Sequence, residues 1–322
     1  MNQRDGSVLR NEFSWSWSRH QTFHTCLRRY WLTHYASWGG WDPSASAEVR
    51  EIYIQKHLCS RPQWIGLLVH DAARFVLQQV RDGRRPHPER IVDQFRRLAH
   101  RQVRDSEVGR HRYFPKKYVG FLEHYYEEPV DPEIWSDAID EITRQVGGLF
   151  EDPVFLRLTE VPERIREVER LEQLRVGDVP VWVSLDVLVA DGRGGLVVVD
   201  WKTGAAPIAE AITSQLGIYA LYVLRRYLRA RGSSPTPRDL ARVKTMYVNL
   251  RSGVREVREL RRDHVEQATA LVRSSAEAMR ARLEHVGDNL ADPERFPRLP
   301  AGSAACTTCA FRRTCGREAT KK

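Results

Sequence analysis

Residues 195–204 read GLVVVDWKTG, and this stretch decides the fold. Four apolar β-formers between glycine-rich ends predict a short strand buried on both faces. Side chains alternate along a strand, so Asp200 and Lys202 project from one face with Leu196 and Val198 behind them. An acid and an amine at the buried end of an apolar strand are costly unless something uses them. Working outward, Val179–Ala190 is β-rich and Arg164–Val176 alternates polar with apolar. Gly177-Asp178 and Asp191-Gly192-Arg193-Gly194 supply the turns, so the three strands form a meander. The middle strand carries Asp186 in VSLDVLV, and antiparallel pairing through a short turn can bring it beside Asp200. Downstream, the sequence predicts a helix from about Pro207 to Arg231, ended by Gly232-Ser-Ser-Pro235. A strand at Val243–Leu250 and an amphipathic helix at Asp263–His285 follow.

Upstream of the meander the pattern is helical. Ser18 is expected to cap a helix from about Arg19 to Tyr35, in which Phe23, Cys26, Leu27, Tyr30 and Trp31 recur at helical spacing. Gly39–Ser46 reads as a loop. Pro62–Arg81 reads as a helix with Ile65, Leu68, Val69, Ala72, Phe75 and Val76 on its apolar side. His87–Phe150 reads as three or four more helices, broken by Pro115 and the Glu128–Pro132 run. The core order from residue 62 is therefore α-β-β-β-α-β, with a helical insertion after the first helix.

The chain has 322 residues, 42% hydrophobic and 29% charged, which fits a globular protein with one large or two small domains. It holds no stretch of eighteen apolar residues, which excludes a transmembrane helix, and MNQRDGSVLRNEF lacks the apolar core of a secretory signal. A cytoplasmic location is expected. The net charge is +9. Residues 221–262 alone hold twelve basic and three acidic side chains, pointing to a polyanionic partner, although membrane surfaces also attract basic segments. Five cysteines argue against a disulfide framework. Cys306, Cys309 and Cys315 form C-x2-C-x5-C, a set that needs a fourth ligand to close a tetrahedral or cubane site. Cys26 and Cys59 lie far upstream.

Adjacent carboxylates such as Asp186 and Asp200 repel unless a proton or cation sits between them. Hard divalent ions favour one or two carboxylates plus water and phosphate oxygens. Such an ion lowers the pKa of a bound water, and Lys202 beside it could hold the attacking hydroxide or a phosphate oxygen. The plainer alternative is a structural Asp–Lys pair. His70, in LLVHDAARF, lies on the helix expected to pack on the meander, as a core histidine or a ligand. Gln215 and Tyr219 stand four apart on one face of the next helix.

Gly66-Leu-Leu-Val-His70, Asp186, Asp200-Trp-Lys202 and Gln215-Leu-Gly-Ile-Tyr219, in this order, resemble the RecB/Cas4-like branch of the PD-(D/E)xK nuclease superfamily. The resemblance implies an α/β restriction-endonuclease-like core, a mixed sheet flanked by helices. It implies that His70, Asp186, Asp200 and the backbone carbonyl of Trp201 bind Mg2+ or Mn2+. Lys202 would position the nucleophilic water, and Gln215 and Tyr219 would organise the site. Asp200 departs from the glutamate usual in Cas4-like proteins. Glu169 is either a supporting carboxylate or, as expected of most glutamates, solvent-facing. Phe23, Cys26, Arg28 and Tyr30 match the branch's F-x-x-C-x-R-x-Y. This implies that Cys26, Cys306, Cys309 and Cys315 hold a [4Fe–4S] cluster stapling the terminal regions, though zinc accepts the same thiolates. Cys59 is left unpaired. The implied divisions are 1–61, N-terminal and helical; 62–84, first core helix; 85–160, insertion; 161–262, nuclease core; and 263–322, C-terminal helix and cysteine loop. The implied activity is a metal-dependent deoxyribonuclease on single-stranded or end-bearing DNA, in repair, processing or defence. No P-loop motif is present, so it stands alone or joins a separate helicase or CRISPR-type or repair subunit. The alternative is a non-catalytic nucleic-acid-binding or scaffold subunit.

Overall fold

The computed structural model describes residues 9–204, 209–228 and 235–316. The expected helix limits at Pro207 and Arg231, residues 232–234 of the following turn and the first eight residues of the chain lie outside them.

A mixed six-stranded sheet forms the centre. Its strands are β1 (Trp15–Ser16), β2 (Ile165–Val176), β3 (Val179–Ala190), β4 (Leu196–Lys202), β5 (Val243–Asn249) and β6 (Arg255–Glu259). β2, β3 and β4 form the expected antiparallel meander, β5 runs parallel to β4, and β6 closes the far edge antiparallel to β5. A parallel pair needs a crossover. Helices supply it and cover both faces: α1 (Trp17–Thr25), α2 (Arg61–Arg81), α3 (Pro88–Glu107), α4 (Pro132–Leu149), α5 (Ala209–Tyr227) and α6 (Arg262–Arg280).

Both faces are covered, which is why β4 is almost uniformly apolar. Leu196 and Val198 pack with Leu216, Ala220 and Val223 of α5 and with Ala268 and Val272 of α6. A Cβ on Gly217 would meet Ala268 Cβ at 3.3 Å, so the missing side chain lets α5 lie close on α6. Val199 and Trp201 pack on the opposite face with Leu68, Val69, Ala72 and Val76 of α2. Burying each such aliphatic side chain contributes about 1.5–3 kcal/mol. Phe95 of α3 and Ile142 and Val146 of α4 belong to the same cluster, so the helices between α2 and the meander share the sheet's core.

One edge of β3 is divided. Its first half pairs with β1, Ser16 opposite Trp182, and its second half with β4, Val199 opposite Val187. Residues 183–186 face the gap between the two partners.

Five features differ from the sequence expectation. The first helix begins after Ser16, whose hydroxyl caps it through the Arg19 amide at 3.2 Å, because β1 pairing holds the chain extended up to that residue. It then breaks at Cys26, which is extended (φ −161°, ψ 115°). The Cys26 thiol accepts the Arg29 N–H at 3.4 Å and starts a second helix, Leu27–Trp31. The final helix stops at Arg280, where Arg295 donates to the Ala281 and Leu283 carbonyls and satisfies its open end. Ala47–Lys56, capped by Ser46, is a helix, and Arg255–Glu259 is a charged edge strand. That strand and its neighbours pair four of the twelve basic side chains at 221–262 with acids. Lys244 pairs with Glu259, Arg255 with Asp152, Arg258 with Glu256 and Arg261 with Asp263. Charge on an edge strand also discourages pairing with another sheet.

Candidate active site

The turns of the meander set its chemistry. The Gly177-Asp178 turn pairs Val176 with Val179, and the same register runs back through Val168 opposite Val187. Glu169 therefore stands opposite Asp186. Pairing of Val187 with Val199 sets Asp186 opposite Asp200 in the same way. Three carboxylates thus lie in a row across β2, β3 and β4, at the divided edge. Glu169 has φ +42°, in a strand, where a non-glycine residue costs roughly 1–2 kcal/mol. A register shift follows between Ile165 and Glu167.

α2 brings the imidazole. A Cβ on Gly66 would lie 2.9 Å from Thr203 Oγ1, so glycine lets the helix approach the end of β4. One turn further on, His70 Nδ1 is 3.7 Å from both Glu169 Oε1 and Asp186 Oδ2. Burial works against the charged imidazole, but Asp186 and Glu169 outweigh it and raise the pKa. Arg74, one turn beyond, reaches Glu169 Oε2 at 3.5 Å.

On β4, Lys202 Nζ lies 2.6 Å from Asp200 Oδ2. Burial pulls the ammonium down, and Asp200 and Asp186 more than restore it. Asp200 is 1% exposed, and its Oδ1 is buried without a hydrogen-bond partner. The Trp201 amide donates to Asp186 Oδ2 at 2.8 Å. Burial, with Asp200 alongside, pushes the Asp186 carboxyl up to about 6. From α5, Gln215 Nε2 donates to the Tyr219 hydroxyl at 2.7 Å. That buried phenol is held well above its ordinary pKa by burial and by the charges of Asp200 and Asp186.

The structure thus gathers His70, Asp186, Asp200, Lys202, Gln215 and Tyr219 into one cluster. It adds Glu169, whose carboxylate faces His70 rather than solvent. One ligand atom each from His70, Glu169 and Asp186 lies within 4.8 Å of the other two, a spacing that fits a single divalent cation. The orphaned Asp200 Oδ1 beside them is a further oxygen in need of a cation. The signal for Glu169 was in the sequence: a two-residue turn after Val176 places it opposite Asp186. Arg74 carried no such signal.

A family model for the PD-(D/E)XK nuclease superfamily matches residues 14–316, nearly the whole length. The chain belongs to the PD-(D/E)XK nuclease superfamily. Membership points to metal-dependent hydrolysis of phosphodiester bonds and to contact with nucleic acid. Among solved structures, the crystal structure of SSO0001 is 16% identical, with 62% of this chain and 93% of that one covered and a TM-score of 0.28. No curated protein matches. Among the described residues of this superfamily member, no helix is long and apolar enough to cross a membrane.

A second pocket lies away from the carboxylates. Cys26, Cys306, Cys309 and Cys315 line it together with Leu32 and Phe311. Burial raises the thiols of Cys309 and Cys315. The loop that carries them is pinned from outside. Tyr126 donates to the Ala310 carbonyl at 2.7 Å, Thr314 to Gln55 Oε1 at 2.8 Å, and Arg312 pairs with Glu128. Cys59 is buried elsewhere, its thiol pushed up to about 12 by burial and by Glu123.

Proposed function

We propose that this protein is a Mg2+- or Mn2+-dependent deoxyribonuclease whose metal is held by His70, Glu169 and Asp186, with Asp200 and the Trp201 carbonyl completing the donors. The observation that carries this reading is the meeting of the imidazole and two carboxylates within 4.8 Å, next to an Asp–Lys pair at 2.6 Å. When bound, the ion would supply charge stabilisation at the phosphate and acidify a water. Asp186 holds the Trp201 amide and so fixes the end of β4. Asp200 holds Lys202, whose ammonium is placed to orient the attacking oxygen and to favour negative charge on it. Tyr219, kept protonated and fixed by Gln215, offers a donor to the scissile phosphate.

The second pocket is read as a [4Fe–4S] site. Zinc, with Zn–S bonds of about 2.3 Å, would draw four sulfurs to roughly 4 Å from one another. Four thiolates accept either metal, and the resemblance to the RecB/Cas4-like branch is what favours the iron–sulfur core. Such a core would join the chain before Leu27 to the loop after Ser303. Single-stranded or end-bearing DNA is the substrate this reading favours, with a role in repair, processing or defence in the cytoplasm, alone or beside a helicase.

Cleavage of labelled single-stranded and duplex DNA with Mg2+ or Mn2+ tests the enzymatic reading. Wild-type protein cuts, and Asp200→Ala and Lys202→Ala do not. Binding without cutting by the wild-type protein would replace the enzyme with a nucleic-acid-binding module. An ultraviolet–visible spectrum of anaerobically purified protein tests the cluster: a broad brown absorption, absent from Cys306→Ala and Cys309→Ala, against colourless protein containing zinc.

A further inference from the structure

A basic and aromatic surface lies outside the catalytic pocket, where the loop after the first helices meets residues 110–118. The Trp38 and Trp41 rings stand edge to face at 4.9 Å, and Trp41 lies 6.1 Å from Tyr53. The ammonium of Lys116 sits 5.9 Å from the Trp41 ring centre and 6.0 Å from that of Tyr53. Arg50 ties the two segments, donating to the Gly40 carbonyl at 2.9 Å and to the Tyr113 carbonyl at 2.6 Å. Beside this anchor, Tyr113 is 73% and Phe114 61% exposed, an unusual outlay of apolar surface.

Charge singles the surface out. Between Glu107 and Glu123 the chain carries Arg110, Arg112, Lys116 and Lys117 and no acid. Arg110 pairs with Asp105, but Lys116 has no ion pair among the described residues. The nearby Asp42 carboxylate is turned onto Ser44. In the basic run at 221–262, by contrast, Lys244, Arg255, Arg258 and Arg261 each pair with an acid. Exposed rings with cations nearby are what a flexible single strand requires: base faces stack and phosphates find charge.

The position suits a strand bound for the metal pocket. The residues that follow each half of the surface, Leu58–Cys59 and Gly120–Phe121, pair in parallel, and Leu58–Cys59 leads directly into α2. His70 lies nine residues, about 14 Å of helix, beyond the start of α2.

We propose that Trp38, Trp41, Tyr113, Phe114, Arg50 and Lys116 form a stacking platform that holds unpaired nucleotides of a single-stranded nucleic acid next to the catalytic cleft. This rests on the nuclease reading of the cleft and adds a binding surface outside it: the rings and cations that would hold unpaired bases.

The test is equilibrium binding of fluorescein-labelled dT20 and of a blunt 20-base-pair duplex in EDTA, where nothing is cut. Trp41→Ala/Lys116→Gln and, because its side chains are exposed, Tyr113→Ala/Phe114→Ala are each expected to lose about tenfold in affinity for dT20 and under threefold for duplex. Lys116→Gln alone should shallow the salt dependence for dT20 by about 0.7 in log–log slope. Platform variants should still hydrolyse bis(p-nitrophenyl) phosphate, too small to reach the rings, at the wild-type rate. Unchanged dT20 affinity in the folded Tyr113→Ala/Phe114→Ala variant overturns the platform, as does an equal loss for duplex or no dT20 binding by wild-type protein. Failure of the nuclease reading looks different: no cleavage by wild-type protein, with the dT20 defect of the variants intact.

Discussion

The carboxylate pocket and the cysteine pocket both join residues far apart in the chain, but they are held by different forces. The first is fixed by strand register. Glu169, Asp186 and Asp200 are aligned by backbone ladders, and the helix bearing His70 is seated by the close approach at Gly66. Its crowding of like charge, its orphaned Asp200 oxygen and its left-handed Glu169 are tolerated because the sheet over-determines the backbone. The cysteine pocket has no ladder beneath it. A broken helix and a C-terminal loop meet there through side chains such as Phe311, Leu32 and Tyr126. An architecture fixed by the backbone keeps its shape without its ion. One fixed by side chains depends on what the thiols hold.

Substitutions that separate chemistry from architecture should show the largest difference. Asp200→Asn is expected to lower cleavage by about 10^3-fold while shifting the thermal midpoint by less than about 3 °C. A collapse of stability in this variant would mean that the acid is there for the fold. Cys309→Ser should do the reverse, lowering the midpoint by more than about 5 °C and releasing the bound metal, with activity lost only in proportion to unfolding. Equal thermal stability of that variant and the wild type would remove the cluster's structural role.

The pockets should also differ in pH response. Asp186 titrates at about 6 when folded, above its unfolded value, and His70 is likewise raised. The metal-free folded protein therefore binds more protons than the unfolded chain in this range, and the stability these groups contribute falls as pH rises through about 6. A divalent ion replaces those protons. The rise in thermal midpoint produced by Mn2+ should accordingly be larger at pH 8 than at pH 5, and a pH-independent rise would contradict this. The smallest stability effect expected is that of Glu169→Gly. Relief of the left-handed backbone is partly offset by the added freedom of glycine, giving a gain of about 0.5–1 kcal/mol in metal-free protein. The same change should raise the Mn2+ concentration for half-maximal cleavage about tenfold, since a carboxylate is lost. Unaltered metal dependence would remove Glu169 from the metal site.

Much of the site was legible because its determinants are short-range. A Val-rich run between glycines is a buried strand whatever surrounds it. A two-residue turn fixes pairing for ten residues on either side, and Gly66 and His70 share a helix face through one turn of geometry. The same rules place Asp186 beside Asp200 and Glu169 beside Asp186, although most glutamates face solvent.

What the sequence by itself determined is the order of elements, the meander's register and the residues that could bear chemistry, because each follows from the covalent geometry of neighbours. Only the tertiary structure decided that β1 and β4 divide one edge of β3, that the first helix breaks at Cys26, and which cations of the basic run find acids. Arg255 finds Asp152 across 103 residues. Coulomb partners and packed faces depend on which distant segments share a surface, and no local period encodes that.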